Sequence, residues 1–256
     1  AGCLLKAGYD VDIYEQAPQL GEVGAGIQMS ANAMHVLNYL GVGDEISERS
    51  VRPAAYVFRL HDTGELIDRF ALSDEHLKMH KAPYNQAHRA DLHQILANAV
   101  QKMKPGVAHL NKRATHFEES TDHVELFFDD GTSAKGDVLV GADGVKSVIR
   151  DQIAGAVPAV YTGDSAWRIT IPKDKLPPDF MEEVMSVWMG PGKHAVSYWL
   201  RNGELFNFVG AVETPVASEE SWTAKFPWED LKADFVGWHE EDRKSTRLNS
   251  SHVEIS

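Results

Sequence analysis

The sequence predicts an α/β fold in two parts, a mixed α/β unit over residues 1–155 and a mostly antiparallel sheet unit over 156–242. Three observations carry this. Residues 9–15 alternate apolar and polar with β-branched members, as a strand does. A glycine-rich strand–turn–helix pattern occupies 136–150. After Pro158, four β-rich runs follow one another with turn residues between them.

In chain order, Ala1 to Gly8 reads as the end of a helix, with Lys6 in the last turn and Gly8 beyond it. The strand at 9–15 stops at Pro18 and Gly21, and Gly24-Ala25-Gly26 is a loop of small residues. Ser30 caps a helix over 31–40, with Met34, Leu37 and Leu40 on its buried face and Gly41 past its end. Asp62-Thr63-Gly64 joins a hairpin of 54–60 and 65–70. Leu92, Ile95, Leu96, Ala99 and Met103 give a helix over 90–103 its apolar stripe. Asp129-Asp130-Gly131 turns a second hairpin, of 123–128 and 132–135. Asp137 to Val140 is a short buried strand, and a helix follows at 145–152. Strands are expected at 160–171, 184–189, 193–201 and 204–213, and a helix at 229–238. Turns fall at Gly190-Pro191-Gly192 and at Asn202-Gly203, the second a two-residue hairpin signal.

Composition removes several function classes. The 25 Lys+Arg against 38 Asp+Glu give a net charge of −13, which disfavours nucleic acid and anionic lipid as partners. An apolar content of 43% with 25% charged residues excludes wholesale disorder. The single cysteine, Cys3, excludes an internal disulfide framework and a cysteine zinc site. Apolar runs are too short to span a bilayer, and no signal-peptide pattern opens the chain, so the default is a soluble, cytoplasmic protein. Arg243 to Ser256 loses aromatics and gains basic and Ser/Asn residues; this tail reads as non-native and is left out of the functional reading.

Two features bear on chemistry. Glu15 ends the first strand, where a dinucleotide-binding βαβ unit places the acid that binds ribose. The glycine turn of such a unit lies about 20 residues before that acid, upstream of Ala1. Gly141-Ala142-Asp143-Gly144 leads into a helix start, where small residues admit a ligand and backbone N–H groups face an anion. The plain alternative is a strand–turn–helix with a capping Asp. His76 and His80 have helical metal-ligand spacing but no zincin glutamate, so no metal site is expected. Ser147 reads as a helix-terminus hydrogen bonder rather than a nucleophile.

From residue 1 to about 241 the chain resembles the FAD-dependent aromatic hydroxylases, single-component flavoprotein monooxygenases of the salicylate and 6-hydroxynicotinate hydroxylase type. The likeness rests on Ala7-Gly8-Tyr9-Asp10-Val11, Tyr14-Glu15-Gln16-Ala17, Gly24-Ala25-Gly26-Ile27-Gln28, Asn32-Ala33, His88 to His93, the Asp143-Gly144 stretch, and Gly190 to His194 with Tyr198. It implies an FAD-binding Rossmann-like domain, incomplete because it lacks its first strand and glycine-rich turn, and a truncated β-sheet substrate domain. It also implies site residues. Glu15, with Gln16 beside it, holds the adenosine ribose of FAD; Gly26, Ile27 and Gln28 pass the isoalloxazine ring. Arg89 reaches the pyrophosphate and ribityl chain. Ala114 meets the adenine through its backbone, and Asp143 with Gly144 serves the pyrophosphate and the nicotinamide donor. His194 and Tyr198 share a strand face and line the substrate pocket. The 6-hydroxynicotinate enzymes carry His where this chain has Gln28, which puts that substrate in question.

The activity the resemblance implies is hydroxylation of a small aromatic acid. NADH or NADPH reduces FAD, reduced flavin captures O₂ as a C4a-hydroperoxide, and an electron-rich ring takes the distal oxygen. A homodimer is compatible with it. Two alternatives stand beside it: a flavin-dependent epoxidase or hydroxylase of a non-aromatic compound, and a non-catalytic nucleotide-binding protein. The 256-residue chain is expected to bind FAD poorly and to turn over nothing measurable.

Overall fold

The computed structural model describes residues 1–21, 25–178, 180–214, 225–239 and 253–255. In chain order the elements begin with α1 (Gly2–Lys6), β1 (Ile13–Tyr14), β2 (Gly26–Met29), α2 (Ala31–Leu40), α3 (Gly43–Glu48), β3 (Ala55–Leu60) and β4 (Leu66–Ala71). They continue with α4 (Asp74–His80), β5 (Asn85–His88), α5 (Arg89–Met103), β6 (Ala108–His109), β7 (Ala114–Glu119), β8 (Val124–Phe128), β9 (Ser133–Gly136) and α6 (Val148–Ala154). They end with β10 (Asp164–Pro172), β11 (Met185–Gly190), β12 (Lys193–Leu200), β13 (Leu205–Glu213), β14 (Lys225–Phe226), α7 (Trp228–Asp234) and β15 (Val253–Ile255). Two compact units interleave along the chain: Ala1–Gly21 with Ala97–Val160, and Glu22–Leu96 with Tyr161–Ser256.

In the first unit, α1 closes as anticipated. Gly8 takes φ 91°, and the N–H groups of Gly8 and Tyr9 return to the carbonyls of Leu5 and Leu4 at 3.0 and 3.1 Å. The strand expected over 9–15 shortens to β1, because among the described residues only β6 offers it a ladder, in parallel. Upstream of it, Asp10 and Asp12 pair with Lys104 at 2.8 and 3.0 Å instead. β7, β8 and β9 form an antiparallel meander whose second turn uses Gly131 at φ 80°. Phe117, Leu126, Phe128 and Ile149 make its small core, with Leu139 packed against them.

One expected element is corrected. Residues 137–140 form no strand: Val138 is 79% and Val140 67% exposed, and only Leu139 turns inward. The apolar run Val138-Leu139-Val140 is real, but among the described residues no strand pairs with it. The following helix, α6, also starts three residues later than 145, because Ser147 caps it.

The second unit holds an eight-stranded sheet in the order β14-β15-β10-β13-β12-β11-β3-β4, antiparallel except for β3 beside β11. A smaller pair, β2–β5, accompanies it. β15 falls in the segment read as a non-native tail; apart from these three residues, 243–256 lies outside the described residues. The two expected hairpin turns exchange character. Gly190 sits opposite Lys193, so Pro191-Gly192 is the tight two-residue turn, with Gly192 at φ 64° as a type II turn needs. Leu200 sits opposite Leu205, so Arg201 to Glu204 is a four-residue loop, not the two-residue turn expected at Asn202-Gly203. Arg201 and Asn202 both take left-handed φ there, 48° and 54°.

The sheet's core lies on one face. Trp167, Trp188, Trp199, Phe206 and Phe208 pack there against Leu231 of α7 and against Phe235 and Trp238 beyond it. α7 ends at Asp234, short of the expected 238. Burying such aromatics removes some of the largest apolar areas a side chain can offer.

Candidate functional site

In a strand successive side chains alternate between faces. On β12, Ala195, Ser197 and Trp199 face the aromatic core, so His194, Val196 and Tyr198 face the other way. Cross-strand partners extend that second face: Tyr198 stands opposite Asn207, and Val196 opposite Val209, with Arg168 opposite Val209 on the far side.

Tyr198 is 3% exposed, and β2 lies against it. A Cβ on Gly26 would stand 2.4 Å from the Tyr198 hydroxyl, so only glycine fits there. Asn207 fixes the same residue from the backbone side, its Oδ1 accepting from the Gly26 N–H at 2.9 Å. Two residues on, Gln28 accepts from the Tyr84 hydroxyl at 3.0 Å. Burial pushes the Tyr198 phenol up to about 12, while hydrogen-bonding contact with Gln28 and the nearby Arg168 charge act the other way. Tyr198 is therefore neutral near pH 7 and able to donate. Burial also pushes the Tyr84 phenol up, reinforced by Tyr56 and Tyr198. Arg168 is half-buried; burial lowers its pKa, Tyr198 opposes that and Arg89 adds to it. Both polar atoms of the buried Gln86 amide, and Asn207 Nδ2, lack partners among the described residues.

The two expected pocket residues share a face but not a contact. His194 is exposed near the tight turn, in a 380 Å³ cleft with Phe58, Val187 and Met189. Four residues separate it from Tyr198, roughly 13 Å at the rise of a strand. Arg89 opens α5, and its N–H donates to the Ala25 carbonyl at 2.9 Å, tying the helix start to the loop before β2. Two residues on, Asp91 takes a two-pronged bond from Arg201 at 2.8 Å on each oxygen, which holds its carboxyl below the usual range. Burial and the Arg201 charge likewise lower His88. Gly24 lies outside the described residues.

In the first unit, Glu15 sits half-buried at the end of β1. Its Oε1 accepts from the Ala17 N–H at 2.8 Å, which leaves Oε2 for an incoming hydroxyl. Gln16 beside it is exposed. Ala114 opens β7 immediately before an irregularity in the ladder to β8. Asp143 behaves as the capping residue of the plain alternative. Its Oδ1 accepts from the Ser147 hydroxyl, and its Oδ2 from the Ile149 N–H at 3.2 Å. Burial would raise its pKa, but these bonds and the N–H groups of Asp143 and Val148 hold it below the usual range. Ser147 is the helix-terminus hydrogen bonder expected, accepting from the Arg150 N–H at 3.0 Å. Gly144 takes φ 79° with open space around it, so its backbone is accessible to a ligand. An acid with one uncommitted oxygen, and an open glycine loop fixed by its own Asp, fit a cofactor bearing ribose and phosphate.

Tyr84, Asn207 and Arg168 escaped the sequence reading. Arg168 carried a signal: a charge between Trp167 and Ile169, in a strand apolar on both sides. Tyr84 and Asn207 carried none, because their roles come from packing between strands far apart in sequence. The His76 and His80 rings lie 4.5 Å apart, and among the described residues no group of three or more candidate ligands gathers. No helix among the described residues is long and apolar enough to cross a membrane.

Comparison with known proteins adds three findings. A family model described as FAD binding domain matches residues 1–252. The chain is 34% identical over 241 residues to the 3-amino-4-hydroxybenzoate 2-monooxygenase PtmB3 of Streptomyces platensis, covering 94% of this chain and 60% of that protein. It is 36% identical over 208 residues to 3-hydroxybenzoate 6-hydroxylase of Polaromonas naphthalenivorans, covering 80% of this chain and 51% of that one. Among solved structures, Klebsiella pneumoniae HpxO complexed with FAD and uric acid superposes with a TM-score of 0.83 at 25% identity, covering 100% of this chain and 63% of HpxO. The chain thus spans three fifths or less of these curated relatives.

Proposed function

The chain belongs to the FAD binding domain family, and on that premise we propose that it serves an FAD- and NAD(P)H-dependent monooxygenase that hydroxylates a small aromatic acid of the hydroxybenzoate or hydroxypyridine carboxylate kind. The observation that carries this is the buried, neutral Tyr198 beside the half-buried Arg168, on a sheet face that also carries Val196, Val209 and Asn207. A pocket with apolar walls and a few aimed polar groups is what a one-ring acid requires.

FAD, when bound and reduced by NAD(P)H, supplies the activation of O₂. The chain's own residues do the rest. Tyr198 donates to a ring oxygen or carboxylate, and Arg168 biases the pocket toward anions. His194 stands at the far end of Val196, and a single ring laid over Val196 with a hydrogen bond at each end spans about the distance between them. A histidine there offers an imidazole nitrogen that can accept the proton of a ring hydroxyl. When FAD is bound, Gly26, Ile27 and Gln28 would serve its ring and Arg89 its ribityl chain. Glu15 with Gln16 would hold the ribose, Ala114 the adenine, and Asp143 with Gly144 the pyrophosphate. Gln28, linked to Tyr84, belongs to the substrate pocket as well, and a glutamine there argues against 6-hydroxynicotinate.

The test is NADH or NADPH oxidation by the gene read at the relatives' length, with aromatic acids in one arm and alkenes in the other. Stimulation by aromatic acids, with one oxygen atom added to the ring, is the expected result. Stimulation by alkenes alone, or by neither, overturns the proposal. His194→Gln is expected to lose hydroxylation; unchanged turnover removes His194 from the mechanism.

A further inference from the structure

The eight-stranded sheet carries a second cavity on its core face, opposite Tyr198. It has a volume of about 240 Å³ and opens among β3, β4, β11 and β12. Trp188, Phe180 and Val184 line part of it, Arg59 and Arg69 line it beside them, and its surface is more polar than apolar. Arg59 is half-buried, stands 5.9 Å from the centre of the Trp188 ring, and spends one N–H on the Gly64 carbonyl at 3.0 Å. Ser197, 3% exposed, lines the cavity next in sequence to Tyr198. The loop that forms the outer wall is pinned: Trp199 Nε1 donates to the Met181 carbonyl at 3.1 Å, and Ser197 Oγ to the Met181 sulfur at 3.5 Å.

The charges select the ligand. In a protein of net charge −13, this cavity has two cations against one carboxylate, Glu182. Glu182 reaches Arg69 only at 3.4 Å and is 72% exposed, so it is a weak and replaceable partner. Two arginine side chains suit a planar carboxylate, and the Trp188 and Phe180 rings suit the ring it is attached to. The volume, below that of ordinary ligand pockets, limits the ligand to about one ring.

We propose that this cavity is a second binding site for a one-ring aromatic carboxylate, on the reverse of the sheet that carries Tyr198. The site stands on its own residues and does not depend on which substrate, if any, the Tyr198 face accepts.

Benzoate is the probe, titrated calorimetrically into the 256-residue chain. Arg69→Met and Arg59→Met are each expected to weaken it about tenfold, and Arg59→Lys less, since lysine keeps the charge but not the fork. Glu182→Gln is expected to tighten it several-fold, because it removes the competing carboxylate. Circular dichroism establishes that each variant is folded, and exposed Arg69 and Glu182 keep the test decisive if the Arg59 variants are not. Because the Tyr198 face takes acids of the same class, Tyr198→Phe is expected to change only binding that Arg69→Met and Glu182→Gln leave in place. The proposal is overturned if folded wild-type chain binds no benzoate at millimolar concentration. It is equally overturned if Tyr198→Phe abolishes binding while Arg69→Met and Glu182→Gln leave it as it was.

Discussion

The two compact units use similar residue types to different effect. The sheet unit buries Phe206, Phe208, Phe235 and Leu200 completely or nearly so, and gathers four tryptophans at 6% exposure or less. The other unit has apolar residues too, yet Val138, Val140, Ile153 and Val157 are each more than 60% exposed. Hydrophobicity drives burial only where another apolar surface is available to meet it. The difference teaches that a core is a property of paired surfaces, and that residue content alone does not forecast one.

That contrast can be broken by one experiment. All six tryptophans lie at or beyond Trp167, in the sheet unit, so tryptophan fluorescence follows that unit alone. Far-UV circular dichroism follows both. Urea unfolding is expected to give an earlier midpoint by dichroism than by fluorescence; coincident curves would make the chain one cooperative body.

Substitutions sharpen it further. Phe206→Ala removes a fully buried ring packed edge-on to Trp199 and Phe180, and is expected to cost about 3–5 kcal/mol in the fluorescence transition. Gly26→Ala drives a methyl into Tyr198, and about 1–3 kcal/mol of overpacking is expected in the same transition. Asp143→Asn acts on the other unit, exchanging the carboxylate that accepts from Ser147 and from the Ile149 N–H at the start of α6 for a neutral amide with one acceptor oxygen, at an expected cost of at most about 1 kcal/mol and with fluorescence left still. Its pH dependence has a fixed sign. A carboxyl held below its ordinary pKa stabilises fully above that ordinary value, and the contribution drains away as pH falls through the depressed one. Wild type should therefore lose stability toward acid more steeply than Asp143→Asn in the dichroism transition. Val138→Thr is expected to change stability by less than about 0.5 kcal/mol, since the valine has nothing to leave.

How legible the fold was follows the same division between local and paired. Helix 31–40 ended at Gly41 in the left-handed region, as its sequence required, because capping is decided by neighbours along the chain. The Asp129-Asp130-Gly131 turn was equally local. The stretch 137–140 was misread because a short apolar run signals burial but does not supply a partner strand. The Asn202-Gly203 turn was misread for a related reason: Arg201 reaches across to Asp91, and that distant pair accompanies a longer loop than the dipeptide suggests. Of the site, Tyr198 and Gln28 were visible through family likeness. Tyr84, Asn207 and the reason Gly26 must be glycine became visible only when strands were laid side by side.

The four-residue loop after Leu200 has one more consequence. Along β12 the even-numbered positions carry the polar pocket and the odd-numbered ones carry the aromatic core. Deleting a single residue within that strand would swap the parity of everything beyond it, burying Tyr198's neighbours among tryptophans and pushing Trp199 toward the pocket. The fold should accept added residues in the loop, where the Arg201–Asp91 pair can be spared, far more readily than the loss of one in the strand. Length variants in this region are thus expected to come as loop insertions, and in-strand deletions to be lethal to the pocket even when every side chain that lines it is still encoded.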